Sequence, residues 1–389
     1  MSPLRTGYDL PPPSHLAELT EVGRGTPMGE LLRRYWHPVG LCSDAGATPR
    51  RVRVLGEDLV LFRDGQGRAG LLHERCAHRG ASLFYGRTED QGIRCCYHGW
   101  MFAVDGRCVD QPCEPSNQQC ARVQQPWYPV QERYGLIFAY LGPQHRQPLL
   151  PRHALLEDLG EGETLEADDS SIGSGGPAIV PCNWLQHYEN VMDPYHVPIL
   201  HGSFSGPQFI AQMGLMPEVD FAYAELGIRS TQIRRLADGQ VHRRVTEALL
   251  PTLRVVPSPR VEEYGRCSLI GWVLPIDDTH FRIYTAGRVR EPGALGRIRS
   301  RMNGKAWAEL SDDEHQRFPG DYEAQVSQGA ITAHNHENLG TTDRGIAMLR
   351  RFLLRQVQAV QAGNDPVGVA FEPGREHVPS LAGNFLERG

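Results

Sequence analysis

Apolar residues recur at helical spacing in only a few stretches of this 389-residue chain, and elsewhere they alternate or cluster in short runs. In PMGELLRRYW, residues 27–36, a proline precedes Met28, Leu31, Leu32, Tyr35 and Trp36 on one helical face, which predicts a short amphipathic helix. From about 40 to 142 the texture is that of short strands. Val52–Leu55 and Leu59–Phe62 run into Asp64-Gly65, and Trp100–Val104 runs into Asp105-Gly106, dipeptides that tolerate the left-handed backbone of tight hairpins. Leu136–Tyr140 closes this all-β unit. Residues 142–160 are proline-rich and then acidic, and 168–177, DDSSIGSGGP, has the composition of a loop, so a domain boundary is expected near 145–150. A helical stretch at about 183–201 then leads into β-rich runs at 226–236, 241–256 and 267–290. Near the end Ile346, Leu349, Phe352, Leu353, Val357 and Val360 form an apolar stripe behind Thr342 or Asp343 as N-cap. Arg350, Arg351 and Arg355 interleave with the stripe and are expected to face solvent or acidic partners. The pattern predicts an α+β chain with an N-terminal all-β domain at 38–147. A second domain, from 1–37 and 148–389, would wrap an antiparallel sheet on the C-terminal helix.

Composition narrows the function classes. No run of about 18 apolar residues occurs, and the start, MSPLRTGYDLPPPSH, lacks the basic and apolar segments of a secretory signal, so a cytoplasmic location off the membrane is expected. A net charge of -6 and a pI near 6.2 argue against a nucleic-acid binder that relies on a basic face. The nine cysteines are an odd number in a long chain, which reads as thiols and metal ligands, not a disulfide framework.

Metal chemistry is concentrated in ERCAHRGASLFYG…IRCCYHGW, which holds Cys76-x-His78 and Cys95-x-x-His98. Each loop offers one thiolate and one imidazole. That set suits a [2Fe-2S] cluster with two Cys on one iron and two His on the other, and neutral imidazoles raise its potential above that of an all-Cys cluster. A Cys2His2 zinc module instead pairs like with like at short spacing. The runs Cys76-Ala77-His78-Arg79-Gly80 and Cys95-Cys96-Tyr97-His98-Gly99-Trp100 resemble the Rieske motif of the ring-hydroxylating oxygenases. Cys96 lies off the ligand pattern and is read as a buried thiol. Cys108-x4-Cys113 begins like a plant-type ferredoxin motif, but that motif then requires Cys where Ser116 stands, so Cys108, Cys113 and Cys120 are read as structural.

Downstream, NWLQHYENVMDPYHVPILHG contains Glu189, Asp193, His196 and His201. Two His and a carboxylate on one face of a metal form the triad that leaves Fe(II) positions open for O2. Asp193 and His196 share a helical face, whereas His196 and His201 would lie about 140° apart on an ideal α-helix, so Pro198 between them is expected to distort the helix. The run resembles the iron-binding segment of the same oxygenase family. That resemblance implies that His196 and His201 bind iron, and that Asp193 bridges to a Rieske His of a neighbouring subunit. The third ligand must be a distant carboxylate: Asp321, in PGDYEAQVSQGAI, resembles the family's late carboxylate, with Asp343 as rival. Glu189 is read as a supporting group.

The resemblance, to α-only terminal oxygenases of the phthalate dioxygenase type, covers nearly the whole chain. It implies a helix-grip (START-like) catalytic domain, a [2Fe-2S] cluster, Fe(II), and a homotrimer in which one subunit's cluster serves the next subunit's iron. No GxGxxG fingerprint is present for a nicotinamide domain, so an NAD(P)H-dependent reductase or a ferredoxin must supply electrons. The expected reaction is oxygen insertion from O2 into an aromatic compound, an aromatic acid in particular, with O- or N-demethylation as the alternative. A non-enzymatic Rieske carrier would leave the C-terminal half unexplained. Arg243, Arg244 and Arg254 are candidates to hold a substrate carboxylate, although salt-bridged strand arginines are the commoner case.

Overall fold

The computed structural model describes residues 6–170, 173, 175–297, 301, 302 and 304–388. The initial residues 1–5 and positions 171, 172 and 174 of the expected loop lie outside the described residues. In the N-terminal part, Trp36–Leu41, Leu136–Tyr140 and Val130–Arg133 form a three-stranded antiparallel sheet. A four-stranded sheet joins Arg50–Val54, Glu57–Arg63, Ala69–His73 and Trp127–Tyr128, and another joins Arg87–Glu89, Gly92–Arg94, Met101–Phe102 and Cys108–Asp110. The Cys-His loops flank this last sheet. The turn at Leu55-Gly56 docks the unit onto the rest of the chain, because the backbone N–H groups of both residues donate to the Pro275 and Ile276 carbonyls (3.0 and 2.8 Å).

The C-terminal part is a nine-stranded sheet. Its main path runs Thr164–Asp168, His280–Val289, Leu269–Asp277, Leu253–Val255, Gln240–Leu249, Gly227–Arg235, Glu218–Ala224, with Gly383–Arg388 and Gly265–Arg266 on a branch. Every pairing in it is antiparallel. The expected runs at 241–256 and 267–290 each resolve into two strands, because Pro251 lacks a ladder donor and the turn before His280 reverses the chain. The Arg344–Gln361 helix packs Met348, Leu349, Phe352, Leu353, Val357 and Val360 against the sheet. Met348 takes the buried place expected for Ile346, which is half-buried. At Gly345 an added Cβ would lie 2.4 Å from the Phe221 ring, so a glycine lets helix and sheet touch there. Asp343 precedes this helix without capping it: its carboxylate accepts from the Gly340 N–H (2.6 Å).

The helix that opens at Pro27 stops at Leu32, short of the expected Trp36, because Trp36 is recruited into a strand opposite Tyr140. A small core of Val60, Phe62, Leu83, Ile93 and Phe102 surrounds Cys76 and Cys95, while the large core runs through both halves of the chain. No helix among the described residues is long and apolar enough to cross a membrane.

Candidate metal centres and active-site cavity

The two Cys-His loops are built on one hydrogen-bond plan. Cys76 N–H donates to Ala81 O (2.9 Å) and Gly80 N–H to Cys76 O (2.8 Å); Cys95 N–H donates to Trp100 O (2.8 Å) and Gly99 N–H to Cys95 O (3.1 Å). Each turn closes on a glycine with φ near +75°, at +76° for Gly80 and +73° for Gly99, where a side chain would be strained. The two thiols are each 3% exposed, and the His78 and His98 rings sit edge to face with centroids 4.6 Å apart. His78 stacks on Trp100 at 4.3 Å, and its buried Nδ1 has no hydrogen-bond partner. Two thiols and two imidazoles, one of them with an orphaned nitrogen, fit a Rieske cluster. Gln125, which carries no sequence signal, clamps the first loop: Ala77 N–H donates to its Oε1 (2.7 Å), and its Nε2 donates to the His73 and Arg75 carbonyls (2.8 and 2.9 Å). Arg94 holds the second, donating to Gly99 O (2.6 Å), Asp110 (2.7 Å) and Glu89 (2.8 Å). Cys96 is exposed, contrary to expectation, because it lies in the turn that the Gly99 N–H closes onto Cys95 O, outside the small core. Cys108 and Cys120 are buried and adjacent, whereas Cys113 is exposed.

The second centre depends on an unusual helix. Trp184–Asn190 is α-helical, the helix is interrupted, and Val197–Phe204 is wound as a π-helix with Pro198 in its first turn. At about 4.4 residues per turn, five residues place His196 and His201 only about 50° out of phase, against about 140° on an α-helix. Their rings lie 5.4 Å apart. His201 Nδ1 is 2.8 Å from Gln208 Oε1, and Gln208 Nε2 donates to Pro319 O (3.3 Å). That orientation makes Nδ1 the donor and leaves Nε2 as a lone pair. His196 likewise turns Nδ1 to Asp193 (3.5 Å). The two Nε2 atoms face Asp321 Oδ1 at 3.5 and 3.2 Å, and one ligand atom from each of the three residues lies within 4.8 Å of the others.

Asp321, in the first turn of the Asp321–Val326 helix, is thus the carboxylate that joins the histidines, and Asp343 is not part of the group. Burial alone would raise the Asp321 carboxyl; the facing His201 and His196 outweigh it and hold the group well below the usual range. Asn190 Nδ2 approaches Asp321 Oδ1 at 3.4 Å. Glu189 turns away into a buried pair with Arg350, which also binds Glu337, so that arginine faces acids and not solvent.

The triad opens on a cavity with an open volume of about 610 Å³. Phe209, Met213 and Val256 supply its apolar wall; Arg244, Arg254 and Arg260 supply three guanidiniums. Arg244 donates to Asn384 Oδ1 (3.0 Å) and Pro257 O (2.5 Å), and burial pulls it down to about 9. Burial likewise lowers Arg260 to about 10 and lowers Arg254. The Arg254 Nε is buried with no hydrogen-bond partner, and Gly173 lies so close that a Cβ there would collide with Nη1. Arg243, next to Arg244 in the sequence, points outward to Glu387 (2.6 Å).

A family model described as Rieske [2Fe-2S] domain matches residues 35–129. The alpha subunit of phenoxybenzoate dioxygenase from Ectopseudomonas oleovorans is 50% identical over 375 residues, covering 95% of this chain and 91% of that one. The chain belongs to the Rieske non-heme iron oxygenases. The oxygenase subunit of phthalate 4,5-dioxygenase from Pseudomonas putida is 30% identical, with 94% and 90% of the two chains covered. Dicamba monooxygenase bound to dicamba has the same fold, with a TM-score of 0.62 over 86% of this chain and 99% of that one at 17% identity. This Rieske oxygenase is therefore an enzyme that uses O2, a [2Fe-2S] cluster and a mononuclear Fe(II), and takes its electrons from a separate donor protein.

Proposed function

We propose that this Rieske oxygenase inserts oxygen into an aromatic carboxylate. The observation that carries the reading is the trio of guanidiniums in the metal cavity, with Arg254 half-buried and its Nε buried and unpartnered. Asp193 and Asp321 are engaged by histidines, so an incoming carboxylate is the natural counter-charge for Arg254, bound bidentately. Phe209, Met213 and Val256 would hold the ring, and Thr246, whose buried Oγ1 lacks a partner, would add a hydrogen bond. The named substrates of phenoxybenzoate and phthalate dioxygenases, both acids, support the same class.

In this reading Cys76, Cys95, His78 and His98 hold the cluster within a domain spanning 38–147, and His196, His201 and Asp321 hold Fe(II) in a catalytic domain of 1–37 and 148–389. When bound, the cluster stores single electrons and the iron activates O2. Asp193 keeps its carboxylate ionised, since burial, which would raise it, is outweighed by His196; with its side chain 31% exposed it can accept a hydrogen bond from a Rieske His of a neighbouring copy in a homotrimer. An NAD(P)H-dependent reductase, directly or through a ferredoxin, would be the donor, in the cytoplasm.

The test is product analysis with 3-phenoxybenzoate and phthalate, the purified donor and 18O2: one or two labelled oxygens in a product of either acid are expected, and turnover of neutral aromatics alone refutes the acid class. Asp193→Ala should keep both metals by iron and acid-labile sulfide assay and lose turnover. Undiminished turnover would remove Asp193 from the electron route.

A further inference from the structure

Arg260 stands where cavities meet. Its side chain lines the metal cavity and also a wider outer cavity with an open volume of about 980 Å³. Within the metal cavity its guanidinium carbon lies 5.1 Å from the Phe209 ring centroid, and Phe209 lies 4.2 Å from the His201 ring, so arginine, phenyl and imidazole form a continuous stack. The outer cavity carries Arg288, Arg290 and Arg297 against Glu163 and Glu263. Arg288 is neutralised by Glu163 (3.1 Å), and Arg297 by Glu291 (2.9 Å). Arg290 is exposed and forms no ion pair among the described residues. Arg260 itself sits in the segment 257–264, which has no regular secondary structure but is tied at the Pro257 carbonyl to Arg244 (2.5 Å) and at the Pro259 carbonyl to the Ile210 N–H (3.0 Å), so a gate here works by rotation of the side chain and not by movement of the backbone.

We propose that the outer cavity is the entrance through which an anionic aromatic substrate reaches the metal cavity, and that Arg260 is the gate and acid-selecting residue between them. The inference rests on the aromatic-acid reading above. Arg290 collects the anion, the Arg260 guanidinium meets the carboxylate as it leaves water, and its displacement from Phe209 lets the ring pass. A neutral ring of the same shape gains no charge pairing from either arginine. Electrostatic collection of this kind raises kcat/KM without changing kcat and fades as salt shortens the Debye length.

The experiment uses the holoenzyme with its donor, 3-phenoxybenzoate as the acid probe and 3-phenoxybenzyl alcohol as the neutral probe. Arg290→Glu is expected to lower kcat/KM for the acid about three- to tenfold at low ionic strength, with kcat unchanged and most of the loss gone at about 0.5 M salt. Arg260→Gln is expected to reduce the preference for acid over alcohol by at least tenfold, chiefly by lowering the acid's kcat/KM. If both variants keep the wild-type values for both probes at low salt, the entrance lies elsewhere. If the wild-type enzyme itself shows no preference for the acid, the aromatic-acid reading fails, and the gate with it.

Discussion

Arg254 should trade stability for recognition, and Arg254→Met separates the two. In the free protein Arg254 is half-buried against the cavity, burial depresses its guanidinium, and its buried Nε has no partner. An unsatisfied buried donor costs about 1–3 kcal/mol, and Met fills a similar volume with no polar atom. The variant should therefore be more stable. At about 2.1 cal/mol/K of unfolding entropy per residue, a chain of this length gains about 1–4 °C in Tm. The acid substrate should suffer the opposite effect, because removing one partner of a buried charge pair costs about 2–5 kcal/mol, or about 30- to 5,000-fold in kcat/KM. Differential scanning fluorimetry of the iron-loaded protein, and steady-state kinetics with 3-phenoxybenzoate and its neutral alcohol, read both effects. A lower Tm together with unchanged selectivity would show that Arg254 is an ordinary structural arginine, and would refute the carboxylate site.

Gln208→Leu removes the group that fixes the His201 tautomer, so Fe(II) affinity measured by chelator competition should fall about 10- to 100-fold while the Rieske EPR signal is unaltered. Arg350→Met leaves Glu189 and Glu337 unpaired beside each other and should destabilise the protein by about 3–5 kcal/mol in denaturant titrations; adding Glu189→Gln and Glu337→Gln should recover most of the loss. Hydrogen bonds from Arg94 and Arg87 hold the Glu89 carboxyl down to about 2. A depressed carboxylate contributes stability above its unfolded value of 4.5 that is lost as pH falls toward 2. Glu89→Gln should accordingly flatten the acid loss of cluster absorbance in that window, and an unchanged profile would exclude Glu89 as its source.

The two Cys-His loops were legible because their candidate ligands are local: residues two or three apart on each side, closed by Gly80 and Gly99, leave little for the rest of the fold to decide. The hairpins at Asp64-Gly65 and Asp105-Gly106 were legible for the same reason. What long-range packing decides was not. Tyr35 and Trp36 continue a helical pattern, yet the strand partner of Trp36 is Tyr140, far along the chain. Arg243 and Arg244 are adjacent and chemically alike, and only the pleat sends one to Glu387 and the other into the cavity. Arg350 was expected to face solvent or acidic partners, and only the fold decides that it meets Glu189 and Glu337, contributed by other segments. Asp321 could be picked only by likeness, because its nearness to His196 and His201 is made by folding. Gln208, Gln125 and Arg260 carry no motif at all; their roles exist only in three dimensions.

The π-wound segment Val197–Phe204 bears on how such a site could arise and be recognised. On an α-helix, histidines four apart fall about 40° out of phase, nearly the angle that five apart reach here. One surplus residue has in effect been absorbed by the winding, and Ile199, 53% exposed, is the natural candidate because it packs against little. Deleting it should return the helix to α while leaving both imidazoles on one face. The gap between two candidate histidine ligands is therefore not by itself a signature of a metal site, and a scan that insists on one spacing will pass over sequences that differ by a single residue.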